Sequence, residues 1–128
     1  MKLVYKIWLE NDGGRTFGEG PYLLLKGVET TGSLRDAAAG TGMAYSKARR
    51  ILECCERSLG FALIIRRRGA RPFGGGSAVT AEAVELMRAY EPLRAEIETA
   101  VGEVYKRHFG QSIPIEFYTM APKRRKVG

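Results

Sequence analysis

Residues 32–59, GSLRDAAAGTGMAYSKARRILECCERSL, constrain this chain more than any other stretch. Ser33 suits an N-cap, because its hydroxyl oxygen can accept an orphan amide hydrogen of a helical first turn. Leu34, Ala37 and Ala38 then share one helical face. Gly40 and Gly42 bracket a turn, where glycine meets no steric cost if the backbone needs positive φ. Ala44, Ala48, Ile51, Leu52, Cys55 and Leu59 recur at helical spacing and predict a second helix with one buried stripe. Its opposite face carries Tyr45, Ser46, Lys47, Arg49, Arg50 and Arg57. A first helix of small residues lets the second pack tightly across it. Two short helices joined in this way form a helix-turn-helix, whose second helix can hold its outer face in a DNA major groove.

The charge distribution points the same way. The chain has 128 residues and a formal charge of +7. Residues 33–77 carry nine basic and three acidic groups, whereas residues 78–116 carry four basic and seven acidic. A field concentrated on one segment suits a polyanionic partner there. An apolar content of 45% excludes a disordered chain. The adjacent Cys54 and Cys55 point about 100° apart on a helix, so they make a poor disulfide or metal pair. They read as a reduced core thiol and its neighbour, in an intracellular protein. The N-terminus turns polar after nine residues and reads as no secretory leader. No apolar run approaches the roughly 20 residues of a membrane helix. The expected location is cytoplasmic, with nucleoid association.

The rest of the chain frames this centre. Leu3–Glu10 alternates loosely and predicts a strand, closed by the turn Asn11-Asp12-Gly13-Gly14. Arg15–Gly20 reads as a connector. Pro21 suits the first position of a helix running over Tyr22–Thr30, with Leu24, Leu25 and Val28 inward. After the two central helices, Phe61–Arg67 predicts a strand and Ala78–Thr80 a short returning one. Between them lies a basic, glycine-rich loop with Arg66, Arg67, Arg68 and Arg71, then Gly74, Gly75 and Gly76. Such a strand-loop-strand straight after a helix-turn-helix is a wing. Its glycines let the tip approach a phosphate backbone, and its arginines neutralise that backbone.

Thr80 suits the cap of a long helix from Ala81 to about His108. Leu86, Tyr90, Leu93, Ile97, Val101 and Val104 mark a seam for dimerisation, with Ala100 at the strict heptad step. Pro92 should kink or break this helix. Packing within its own domain is the alternative use of that seam. Gln111–Thr119 reads as extended, at a sheet edge because of Pro114. The basic run over Pro122–Val127 is similar to a nuclear import signal, and reads more simply as a tail touching DNA phosphates. The expected organisation is a DNA-binding domain over residues 1–80, a dimerisation helix over 81–108 and an extension over 109–128. The expected fold class is α+β, mainly α.

No chemistry of catalysis stands out. The single histidine, His108, lies beside Lys106 and Arg107 near a helix end and reads as a surface residue. No metal-ligand spacing such as CxxC occurs, and no Gly-Lys-Ser/Thr follows the triple glycine. The expectation is no enzyme, no cofactor and no metal.

The order of motifs resembles one family. Gly18-x-Gly20 precedes a leucine-rich helix; Gly32-Ser33-Leu34, Ala37-Ala38, Gly42-Met43-x-Tyr45-x-x-Ala48, Gly74-Gly75-Gly76 and Thr80 follow in order. This combination resembles the N-terminal domain of ModE, the molybdate-responsive regulator, and more distantly that of LysR-type regulators. The resemblance covers about residues 3–108. It implies a winged helix-turn-helix that dimerises through its long last helix, with Tyr45–Arg50 on the recognition helix and the triple glycine on the wing. Two positions differ from the family pattern: Ala44 stands where a capping serine is usual, and Arg49 where a tryptophan is usual. Only 20 residues follow His108, too few for the family's oxyanion-binding modules, so molybdate binding by this chain is not expected.

The sequence therefore predicts a homodimeric transcription regulator that reads double-stranded DNA. Ser33, Tyr45, Ser46, Lys47, Arg49 and Arg50 would approach bases and phosphates, and Arg67, Arg68, Arg71 and Gly75 the backbone. The alternative is an architectural DNA-binding protein with little sequence preference.

Overall fold

Among the described residues, four segments with helical spacing of apolar residues form helices, and six short extended segments pair. The computed structural model describes residues 2–12, 14–71, 74–110 and 115–117, with side chains described outside 67–75 and 115–117. The fold is α+β and mainly helical.

The N-terminal strand is two strands. β1 (Leu3–Tyr5) runs parallel to β6 (Ile115–Phe117), whereas β2 (Trp8–Asn11) pairs antiparallel with β3 (Gly14–Gly18). The segment divides because its halves serve different partners. β3 occupies most of the stretch expected as a connector. Its Thr16 and Phe17 are buried, and this burial makes the segment a strand despite its short apolar content.

Helix α1 (Glu19–Thr31) begins three residues before the expected Tyr22, so Pro21 is its third residue and not its first. The shift costs no hydrogen bond, because first-turn amides have no acceptor within the helix. Gly32 ends α1 with φ 74°, and its N–H donates to the Val28 carbonyl at 2.8 Å. Helix α2 (Leu34–Gly40) crosses α1 at close range. A Cβ on Gly27 would lie 2.6 Å from the Ala37 Cβ and 2.9 Å from its Cα. Gly27→Ala should therefore lower the melting temperature in a circular-dichroism scan. Overpacking costs about 1–3 kcal/mol and outweighs a helix-propensity gain of up to about 1 kcal/mol.

Helix α3 (Tyr45–Leu59) follows, then strands β4 (Ile64–Arg71) and β5 (Gly74–Val79), which pair antiparallel. The expected glycine-rich loop is largely strand. Arg67, Arg68 and Arg71 lie on β4, and Gly74, Gly75 and Gly76 on β5, with Arg67 opposite Gly76 and Arg71 opposite Gly74. The register shifts between Arg67 and Arg71. Pairing extends further than propensity suggests because glycine, though a weak strand former, supplies the backbone groups a ladder needs.

Helix α4 (Ala81–Phe109) is capped by Thr80, whose hydroxyl accepts the Ala83 N–H at 3.1 Å and donates to the Ala62 carbonyl at 2.8 Å. It runs through Pro92 as one helix, so the expected break does not occur. A proline deep in a helix removes one backbone bond, and here the packing of the preceding turns holds the helix together. Those turns give Ala83, Met87 and Tyr90 to the same core as Phe17, Tyr22, Leu24, Leu25, Val28 and residues of α2 and α3.

Tyr90 corrects the seam assignment. It is only 1% exposed and packs edge-on against Phe17, with ring centroids 5.2 Å apart. It is a core residue of its own chain. Of the other seam positions, Leu86, Ile97 and Val101 are half-buried, and Leu93 and Val104 are 40% and 45% exposed.

The core contains one buried carboxylate. Glu19, 4% exposed, accepts the Tyr90 hydroxyl at 3.0 Å and forms an ion pair with Arg94. Nearby, the Tyr22 hydroxyl donates to Glu91 at 2.5 Å. Burial, reinforced by the Glu91 bond, pushes the Tyr22 phenol up to about 12. Burial and then Glu19 push Tyr90 higher still. Both shifts are upward, so the stability they carry is full below pH 10 and is lost as pH rises through the folded values. Urea midpoints should hold between about pH 7 and 9 and fall above about pH 10, less steeply in Tyr22→Phe. Equal alkaline slopes for the variant and the parent chain would contradict this account.

Candidate nucleic-acid interface

The candidate interface centres on the turn between α2 and α3. Ser33 caps α2, its Oγ accepting the Asp36 N–H at 3.0 Å. The chain then reverses tightly. The Met43 N–H donates to the Ala38 carbonyl at 2.9 Å, the Thr41 hydroxyl donates to the same carbonyl, and Gly42 takes φ 72°. That positive φ is why a glycine is needed there. Ala44 is the N-cap residue of α3 and provides no side-chain bond. It lies exposed at the helix entry, outside the buried stripe in which its spacing had placed it.

The inner face of α3 is as its periodicity predicts. Ala48, Leu52 and Cys55 are buried, while Ile51 and Leu59 are half-buried. The far end is fixed to the following hairpin by Glu56, whose carboxylate accepts the Leu63 N–H at 2.7 Å and the Ile64 N–H at 3.4 Å. On the other side, Ser77 N–H donates to the Gly32 carbonyl at 2.8 Å, so β5 is tied to the entry of α2. Helix α3 is thus held by its buried inner face and by Glu56 at its far end, and its outer face carries Ser46, Lys47, Arg49 and Arg50 exposed.

That outer face divides into two flanks, which the linear sequence does not reveal. Ser46, Lys47, Arg49 and Arg50 are all exposed, and Tyr45 is half-buried. One flank carries Tyr45, Arg49 and Glu53 toward β4 and β5. There the Arg49 guanidinium pairs with Glu53 at 3.4 Å, one helical turn on. The other flank carries Lys47 and Arg50 toward β2 and β3. Neither of these cations has an ion-pair partner among the described residues.

Two further arginines join the first flank. The Arg35 guanidinium, on α2, lies 4.2 Å from the centroid of the Tyr45 ring. Arg66, on β4, lines one small cleft with Arg35, Ser33, Tyr45 and Ser77. Reading the sequence left Arg35 without a role. Its place on α2, ten residues before Tyr45, is the trace that the turn geometry makes meaningful. The cleft therefore unites Ser33 and Tyr45 with two cations from other elements. The Ser33 hydroxyl still has its proton to donate, because it serves α2 as an acceptor.

Arg67, Arg68, Arg71 and Gly75 lie on the paired strands, and their side chains are outside the described set. The basic run 122–127 and Pro114 lie outside the described residues. Cys54 is exposed and Cys55 buried, both as free thiols, and burial pushes the Cys55 thiol up to about 11. His108 is exposed. No group of three or more His, Cys, Asp or Glu among the described residues is placed to hold a metal. Among the same residues, no helix is long and apolar enough to cross a membrane. No protein-family model matches the sequence, and comparison with curated proteins finds no match.

Proposed function

We propose that this chain is a sequence-specific double-stranded-DNA-binding regulator that acts as a homodimer. In this reading α2, α3 and the β4–β5 hairpin form a winged helix-turn-helix of the ModE-like kind. Helix α3 enters the major groove, and the hairpin lies along the backbone. One observation carries the reading. Helix α3 is anchored by its inner face and by Glu56, while its outer face presents Ser46 with Lys47 and Arg50, cations that have no ion-pair partner among the described residues. Arg35 and Arg66 add positive charge beside it. Such a face is costly to leave against nothing but water only if its charges repel, and a polyanion removes that repulsion.

Different residues take different parts. Lys47 and Arg50 are free to reach base edges, Arg50 by the bidentate pairing with guanine that arginine favours. Arg49 must first leave Glu53, so it suits a phosphate contact more than base reading. Ser33, Arg35 and Arg66 are placed for one backbone phosphate. Self-association would use the apolar outer side of α4, where Leu93 and Val104 are exposed. Access to DNA implies a cytoplasmic, nucleoid-associated protein.

Selection from a random duplex pool, with the bound DNA sequenced, tests the reading. The expected result is an enriched inverted repeat with half-sites about 10 bp apart, or a multiple of that. Binding without enrichment would instead favour an architectural role. Arg66→Ala is expected to weaken all duplexes alike and to reduce the slope of log affinity against log salt by about one. A loss confined to one sequence would refute the backbone role of Arg66.

A further inference from the structure

The second flank of α3 faces a cavity of about 450 Å³. The β2–β3 hairpin forms one side, the first residues of α1 the floor, and α3 the other side. Its walls are mostly apolar, from Phe17, Pro21, Ile51 and Cys55 together with the Trp8 ring. Its charged residues are all of one sign, Arg15, Lys47 and Arg50, and no acidic side chain lines it.

These features specify an occupant. The volume falls within the range of small-molecule sites, roughly 300–1,000 Å³, and is too small for a folded partner. The apolar walls would be wasted on a bare phosphate. Lys47 and Arg50, which have no ion-pair partner among the described residues, would stay so beside a neutral hydrocarbon. Trp8 already has cations against its ring, with the Arg15 guanidinium 4.2 Å and the Lys6 ammonium 5.2 Å from the centroid. Its indole N–H donates to Glu10 at 2.7 Å, which fixes the plane of the ring. The apolar wall of Phe17, Pro21 and Ile51 beside a cationic mouth fits an apolar ring with an acid group on its edge.

We infer that this cavity binds a small aromatic acid, its ring among Phe17, Pro21 and Ile51 beside Trp8 and its anionic group at Lys47 and Arg50, and that such a ligand competes with DNA for those two cations. The binding half stands on the cavity alone. The competition half rests on the DNA reading above.

Trp8 is the single tryptophan of the chain, so the site carries its own reporter. The probe is 8-anilinonaphthalene-1-sulfonate, titrated into the full chain without DNA while Trp8 is excited. The expected result is saturable one-to-one energy transfer from Trp8 to the dye. The uncharged analogue N-phenyl-1-naphthylamine should bind at least about tenfold more weakly, as loss of a charge-assisted contact predicts. Ile51→Phe, which fills the cavity, and Arg15→Gln, which lowers its charge, should each weaken the sulfonate. Two variants guard against either one failing to fold. Equal affinity for the two dyes, or undiminished sulfonate binding in both variants when folded, would overturn the site.

A second arm adds a fluorescent duplex from the selected pool. The dye should raise the duplex dissociation constant in proportion to its occupancy. Dye bound at Trp8 with no effect on the duplex would overturn the competition. A chain that binds the dye and no duplex of any sequence would overturn the DNA reading and leave the cavity standing.

Discussion

Glu19→Ala is expected to destabilise the chain by about 3–5 kcal/mol, the loss typical of removing one partner from a buried ion pair. The substitution does more than delete a contact. Arg94 would lose the Glu19 carboxylate that its half-buried charge faces, and the Tyr90 hydroxyl would lose its acceptor inside the core. The Arg94 guanidinium also lies 4.9 Å from the Tyr22 ring, so its displacement would disturb the aromatic cluster. A urea melt followed by circular dichroism measures the loss. Glu19→Gln retains an acceptor for Tyr90 and should fall between the parent and Glu19→Ala. A double change, Glu19→Ala with Arg94→Leu, should recover part of the stability, because it removes the charge that Glu19 had faced. If Glu19→Ala cost under about 1 kcal/mol, the pair would be acting as a surface bridge.

Arg50→Ala carries the largest effect expected on binding. Arg50 is exposed on α3 without an ion-pair partner among the described residues, so its loss should leave the fold intact. Affinity for the selected sequence should fall by about 1–3 kcal/mol, roughly 5- to 150-fold, while random duplex is held almost as before. Quantitative binding at one stated salt concentration, on the selected and scrambled duplexes in parallel, measures the ratio. Equal losses on both duplexes would remove Arg50 from base reading and make it a phosphate contact. Arg49→Ala supplies the contrast. Its guanidinium is engaged by Glu53, so its loss should be smaller and less dependent on sequence.

Helix positions were legible in the sequence wherever one face is buried. Leu34, Ala37, Ala38, Ala48, Leu52 and Cys55 are all in the core, as their spacing predicts. Boundaries were less legible. Pro21 suggested a helix start, but a proline is tolerated throughout the first turn, so it could not distinguish the first position from the third. The triple glycine suggested a loop, because glycine is usual in turns; pairing with β4 overrode that propensity. Tyr90 matched a heptad, yet one helix can present a heptad to its own domain and to a partner alike. Only the positions of Phe17 and Tyr22 decide which. The division of α3 into two flanks was not legible, because it depends on β2 and β3 lying on one side and β4 and β5 on the other. Lys47 and Arg49 are two residues apart in sequence and face different neighbours in space.

The pairing of β1 with β6 ties Leu3 to Ile115, 112 positions later (115 − 3). During synthesis β1 must wait for all the residues between before its partner exists. Until then its edge is open to pairing with another chain. Closing so long a loop is entropically costly, so this contact forms late and after the helical core. A chain truncated before residue 115 would carry a finished helical core and an unsatisfied strand edge, a form prone to aggregate.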